Sequence, residues 1–323
     1  MRAALTRSFA LTLGLLALAA TAQAQNFPDH PVKIIVPFPA GGTADAVPRV
    51  VGERLSQKWG QPVVIENHSG AGGNIGAEIV YKSTPDGHTL LSAPPPPLVI
   101  NQNLYPNLGF DPTKFEPIVV MAQVPNALLV NPEKIKARSV SELVDYLKQH
   151  PNEVTSATQG NGTTSHLTSE LFQLMAKVKL RQVPYRGSAP ALQDLIAGNV
   201  DLMFDNLGVS LAQVNAGKLK LLAVASAKRM PSLPDVPTMA EILPGFESAA
   251  WYAIVAPPNT PKPIVEKINA DVREVLAQPV VKALLNKLSA EITADSVDNT
   301  AKYMRAEVDR WGNVIKAANI KLQ

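Results

Sequence analysis

The sequence predicts an α/β protein of two lobes facing one another across a cleft. Three observations carry this expectation. Short β-rich runs alternate with helical stretches from Pro31 onward, the alternation restarts near Ala127, and each half holds a glycine-rich loop between a strand and a helix. Val32–Phe38 is a β-branched apolar run that ends in Pro39-Ala40-Gly41-Gly42. The stretch from Thr43 to Lys58 places Val47, Val50, Val51 and Leu55 at helical spacing. Val63–Glu66 reads as a second strand, Asn67–Gly73 as a glycine-rich turn and Asn74–Lys82 as a helix. Pro85-Asp86-Gly87 is a tight turn before a third strand, Thr89–Ala93. Strands and helices joined by short links imply a parallel sheet with right-handed crossovers.

The second half repeats this grammar. Ala127–Val130 is a strand, and Ser139-Val140-Ser141-Glu142 is a capping box opening a helix with Leu143 and Leu147 on one face. Val154–Ala157 is strand-like, and Gln159–Ser165 leads into a helix expected to turn Leu167, Leu171, Leu174 and Val178 inward. Pro190–Ala197 is a helix closed by Gly198, while Val200–Phe204 and Leu219–Ala225 read as buried strands. A proline-rich segment from Met230 carries the chain back, Trp251–Val255 is a further strand, and two amphipathic helices finish it. One follows Pro261; the other has Met304, Val308, Trp311 and Ile315 on one stripe. Pro94–Pro97 reads as an extended polyproline segment.

Arg2 and Arg7, the apolar run from Leu11 to Ala20 and Ala22-Gln23-Ala24 give residues 1–24 the form of a cleaved secretory signal peptide. Its removal lowers the formal net charge from +3 to +1, which speaks against a nucleic-acid partner. The expected division is therefore 25–124 for the first lobe, 125–228 for the second and 229–323 for the return to the first, in a protein exported to the periplasm.

The chain has no cysteine, so thiolate chemistry and disulfides are excluded. Its five histidines include no H-x-x-x-H pair, there is no G-x-S-x-G elbow, and no metal site is expected. Gly70 and Gly72 fit the start of a dinucleotide fingerprint, but Ile75 stands where its third glycine belongs, so no cofactor is expected. Asp201 and Asp205 flank a strand, with no nucleophile or cofactor beside them. The chemistry left is binding. Phe38-Pro39-Ala40-Gly41-Gly42-Thr43-Ala44-Asp45 brings bare N–H groups to a helix start, where the backbone dipole favours an anion. Gly160-Asn161-Gly162-Thr163-Thr164-Ser165-His166 does the same in the second half. Glycine in such turns also serves geometry alone, and a histidine at a helix start is often structural. The pairing of one anion-suited loop per lobe is more informative than either loop. Ser92, near the end of the third strand, and Asp205, at the end of a second-lobe strand, complete the candidate ligand contacts. Neither loop holds Arg or Lys, so neutral donors are expected to carry recognition.

Several of these stretches occur in a familiar order: Pro37-Phe38-Pro39-Ala40-Gly41-Gly42, Val64-Ile65-Glu66-Asn67, Pro85-Asp86-Gly87-His88-Thr89-Leu90, Gly162-Thr163-Thr164-Ser165-His166-Leu167, Val183-Pro184-Tyr185-Arg186-Gly187 and Leu233-Pro234-Asp235-Val236-Pro237-Thr238. In this order they resemble the substrate-binding proteins of tripartite tricarboxylate transporters, the Bug (TctC-like) family of bacteria. The resemblance implies a type II periplasmic-binding-protein fold that closes on a small organic anion: a di- or tricarboxylate, an acidic amino acid or an aromatic carboxylate. It implies a monomer that serves a two-part membrane permease and, in some members, a sensor kinase. It places carboxylate contacts in Phe38 to Thr43 and Gly160 to Thr164, with Asp205 similar to a position that meets the distal part of ligands. An exported enzyme acting on a small organic acid is the rival reading. Pro48 inside the first helix departs from the family pattern, so that helix is expected to start late or bend.

Overall fold

The computed structural model describes residues 27–320, so the expected signal peptide lies outside the described residues. In chain order the elements are β1 (Val32–Val36), α1 (Thr43–Trp59), β2 (Val63–Asn67), α2 (Asn74–Tyr81), β3 (Thr89–Ala93) and β4 (Glu116–Val130). There follow α3 (Val140–Gln149), β5 (Thr155–Thr158), α4 (Thr164–Ala176), β6 (Arg181–Pro184), α5 (Ser188–Ala197), β7 (Leu202–Asn206), α6 (Leu207–Asn215) and β8 (Lys220–Val224). The chain ends with β9 (Ala249–Ala256), α7 (Lys262–Ala277), α8 (Pro279–Lys287), β10 (Glu291–Ile292) and α9 (Val297–Ala317).

β1 is parallel to both β2 and β3, with Ile34 opposite Ile65 and Leu90. α1 seats Val47, Val51 and Leu55 on one face of this sheet, together with α7 and α8. The other face packs Ile35 and Leu91 with Ala77 of α2 and with Trp251, Met304 and Trp311. The second lobe is built likewise: β5 runs parallel to β6 and β7. Phe172 and Phe204 fill one side of its sheet, Leu195 and Met203 the other.

β4 joins the two sheets. Its first part, from Glu116 to Pro125, pairs antiparallel with β9, and its last part, from Asn126 to Val130, pairs with β7 and β8. The sequence showed only the last four of its 15 residues as strand, because the rest is apolar on both faces and lacks alternation. Where the lobes meet, the Ala225 N–H donates to the Asn126 carbonyl at 2.7 Å and the Ser248 N–H to the Ala225 carbonyl at 2.8 Å. Met239 and Phe246 are buried in the second-lobe core, so the chain crosses back at Ser248 and not near residue 229.

Three local expectations are corrected. Pro94–Pro97 is not an extended segment: the chain turns helical at once and Pro96–Ile100 forms a buried π-helical turn. A proline in a first turn forfeits no hydrogen bond, so burying Leu98, Val99 and Ile100 decides the conformation. α1 starts at Thr43 and runs through the buried Pro48, whose ring deprives only the Ala44 carbonyl of its helical donor. Leu174 points outward at 45% exposure: Phe172 and Ala176 form the stripe of α4 in the second-lobe core, and Leu167, on the opposite face, packs into the first-lobe core instead.

Candidate functional site

Three helices begin at one place between the lobes. α1 starts after Gly42 in the first lobe; α4 starts after Thr163 and α5 after Gly187 in the second. Each follows the carboxyl end of a parallel strand, where open α/β sheets leave a crevice. The loops lie against one another: a Cβ added to Gly42 would stand 4.0 Å from the Ser188 Cβ, and one at Gly187 3.5 Å from the Pro39 ring. They enclose a cavity of ≈ 50 Å³. Its first-lobe wall is Phe38, Ala40, Gly42, Thr43 and Tyr252, and its second-lobe wall includes Gln159, Thr163, Thr164, Ser188 and Asn206. A wider opening of ≈ 390 Å³ shares Phe38, Gln159 and Arg186 with the cavity. It is framed by the glycine-rich turn from Ser69 to Gly73, Tyr105 and Gly160.

The first-turn N–H groups of a helix have no intrahelical carbonyl to meet. At α1, α4 and α5 these are the amides of Thr43 and Ala44, of Thr164 and Ser165, and of Ser188 and Ala189. The Thr43 hydroxyl is buried beside the Tyr252 hydroxyl without hydrogen-bond geometry to it and has no partner among the described residues, which leaves a donor at the cavity wall. Arg186, exposed on the rim, is the charged side chain among the cavity-lining residues. The two glycine-rich loops contribute neutral donors, and a guanidinium stands beside them from the loop between β6 and α5.

Of the candidate contacts, Phe38, Ala40, Gly42, Thr43, Thr163 and Thr164 line the cavity. The other candidates do not line it. The Gly41 N–H donates to Asp45 Oδ2 at 3.3 Å, and Asp45 is itself held by Arg49 at 2.9 Å and Asn67 at 2.9 Å. Asp45 therefore braces the first loop. The Gly162 N–H donates to His166 Nδ1 at 3.2 Å, so buried His166 shapes the second loop, and burial depresses its pKa to about 4. Gly160 donates to Thr158 Oγ1 at 3.3 Å and accepts from the Thr163 hydroxyl at 2.7 Å. Ser92 is buried within β3, opposite Ile254.

Asp205 lies one layer behind the wall and is fully buried. It accepts from Ser188 Oγ at 2.8 and 2.9 Å and from Gln159 Nε2 at 2.6 Å. Desolvation outweighs these bonds and pushes its pKa up to about 6. Asp201 is apart from it, accepting from the Thr155 N–H and hydroxyl at the other end of β7. Asn206 ties the site to the junction of the lobes: it accepts from Gln159 and Tyr252 and donates to Asn126. The sequence reading missed Gln159, Arg186, Ser188 and Tyr252 as wall residues. Arg186 and Ser188 stood within or beside the Tyr185-Arg186-Gly187 motif, which was the available signal.

A family model, described as "Tripartite tricarboxylate transporter family receptor", matches residues 47–320. The chain belongs to this receptor family. Protein BugT of Bordetella pertussis is 36% identical over 310 residues, covering 95% of this chain and 94% of that one. The structure of R. palustris Rpa4515 with adipate superposes with a TM-score of 0.88 at 40% identity, covering 91% of this chain and 99% of the other. MatC from Rhodopseudomonas palustris with bound malate gives 0.84 at 35% identity, covering 90% and 100%. The TctC-type receptor thus has the two-lobed type II architecture expected of it. No helix among the described residues is long and apolar enough to cross a membrane.

Proposed function

We propose that this receptor captures a small organic carboxylate between its lobes in the periplasm and presents it to the membrane permease of a tripartite tricarboxylate transporter. The observation that carries the reading is the convergence of three helix starts, from both lobes, on a cavity whose charged side chain is Arg186. Such a wall favours a carboxylate over a neutral or cationic solute. Similarity to proteins solved with adipate and with malate supports a dicarboxylate as the ligand class. Membership of a receptor family supports binding as the role, and the buried Asp205 and His166 are engaged in internal hydrogen bonds behind the wall.

The cavity is small because the loops are in contact, so admission of a dicarboxylate requires the lobes to part at the Asn126 and Ser248 crossings. Closure then selects the bound form. Titration calorimetry and thermal melting against succinate, malate, adipate, benzoate and the matching amides test the reading. A receptor of this type is stabilised by at least one diacid, by about 2.7 kcal/mol at 100 times its Kd, so that it melts later, and it ignores the amides. Equal response to acids and amides, or to none of the acids, overturns it.

A further inference from the structure

Away from the cleft, the segment entering β1 meets the turn entering β3, and Asp29, His30 and His88 gather there. We propose that these three residues form a binding site for a divalent first-row transition ion, of which Zn²⁺ is the reference case. Asp29 Oδ1 lies 2.6 Å from His30 Nδ1 and 3.2 Å from His88 Nε2. The three donor atoms fall within 4.8 Å of one another. Two imidazole nitrogens and one carboxylate oxygen are a donor set suited to such ions, with positions left for water.

The surroundings of His88 strengthen the assignment. Its Nδ1 faces Asp86 Oδ1 at 3.4 Å, and that oxygen is fixed by accepting the His88 backbone N–H at 2.8 Å. A carboxylate beside the far nitrogen is the kind of outer neighbour that metal-binding imidazoles use, and Nε2 is left facing Asp29 at 3.2 Å. Both ring nitrogens of His88 are buried, and neither makes a hydrogen bond of good geometry among the described residues. An ion on Nε2 satisfies a group that otherwise carries a desolvation cost.

His30 stacks on His88 at 3.6 Å with planes 10° apart, and parallel planes share no point. Coordination therefore turns the His30 ring, whose side chain is 58% exposed, while His88 at 11% stays in place. The backbone on both sides is held: the Asp29 carbonyl accepts from Gln61 and the His88 carbonyl from the Lys33 N–H. His150 and His166 each meet a single glutamate. An ion here staples the amino-terminal segment to the β3 turn.

The test uses chelator-treated chain carrying no histidine tag, with ZnCl₂ as the probe, followed by calorimetry and melting at pH 7.5 and 5.5. One Zn²⁺ per chain is expected, with a rise in Tm and weaker binding at pH 5.5, where protons compete for the imidazoles. His30→Ala and His88→Ala are each expected to weaken binding by about ten-fold or more, and Asp86→Asn to weaken it less than His88→Ala does. His30→Ala removes an exposed ring, so its metal-free Tm should equal that of the parent and separate lost binding from lost folding. Absence of any zinc response, or zinc binding that both alanine variants retain in full, overturns the proposal.

Discussion

Thr43 separates binding from stability at the level of a single atom. Its hydroxyl is buried at the cavity wall and has no hydrogen-bond partner among the described residues. Thr43→Val should leave Tm within about 2 °C of the parent while weakening carboxylate binding by about 1.5–3 kcal/mol, the worth of one charge-assisted hydrogen bond. Calorimetry beside melting curves checks both halves. Asp205 gives the opposite profile. Its native pKa near 6 exceeds the ordinary 3.8, so the folded state holds the extra proton between those values. Stability from this group is present below pH 3.8 and is lost as pH rises through 6. His166 runs the other way: with a native value near 4 against 6.5, stability falls as pH drops through that window. The two oppose each other between pH 4 and 6. Asp205→Asn should therefore raise stability at pH 7.5 by up to about 3 kcal/mol and unmask the His166 slope as a steady fall in Tm from pH 6.5 to 4. Urea denaturation across that range decides it; an unchanged profile contradicts the buried ionised carboxylate.

At the scale of elements, the first loop and α1 were legible because strand, glycine pair and helix are contiguous in sequence. The same holds for α4. α5 was placed two residues late and its start was not assigned to the cleft. Its position there depends on β6, a four-residue edge strand, half-buried only at Gln182 and Val183, whose register on β5 no local pattern reveals. Of the candidates, Asp45 and His166 sit behind the cavity and brace its loops. A polar side chain in a glycine-rich loop satisfies loop amides as readily as it meets a ligand, and only the folded backbone tells which. α6 makes a contact of its own: a Cβ on Gly208 would collide with the Leu288 carbonyl oxygen, behind α8. Gly208→Ala must push this second-lobe helix off the first-lobe segment. The expected result is a Tm several degrees lower and, in small-angle scattering, a larger radius of gyration; identical scattering and melting would refute the contact.

For the whole molecule, the two-lobe plan was readable from the restart of the strand–helix alternation, and the family from its ordered motifs. The joint was not. Neither the length of β4 nor the return at Ser248 has a sequence signature, because both depend on pairing between residues more than 100 positions apart. The side chains that converge there, Asn126, Asn206 and Ser248, link the wall of the cavity to the strands that must flex when it opens.

That joint has an architectural corollary. Pro125 and Ala249 are register partners on adjacent strands, so everything between them leaves and re-enters the first lobe at a single doorway. Topologically the second lobe is a cassette spliced into a hairpin. Deleting it and bridging the stumps with a two-residue Asn-Gly turn should yield a stand-alone half with the β4–β9 ladder intact, observable as slowly exchanging amides along both strands.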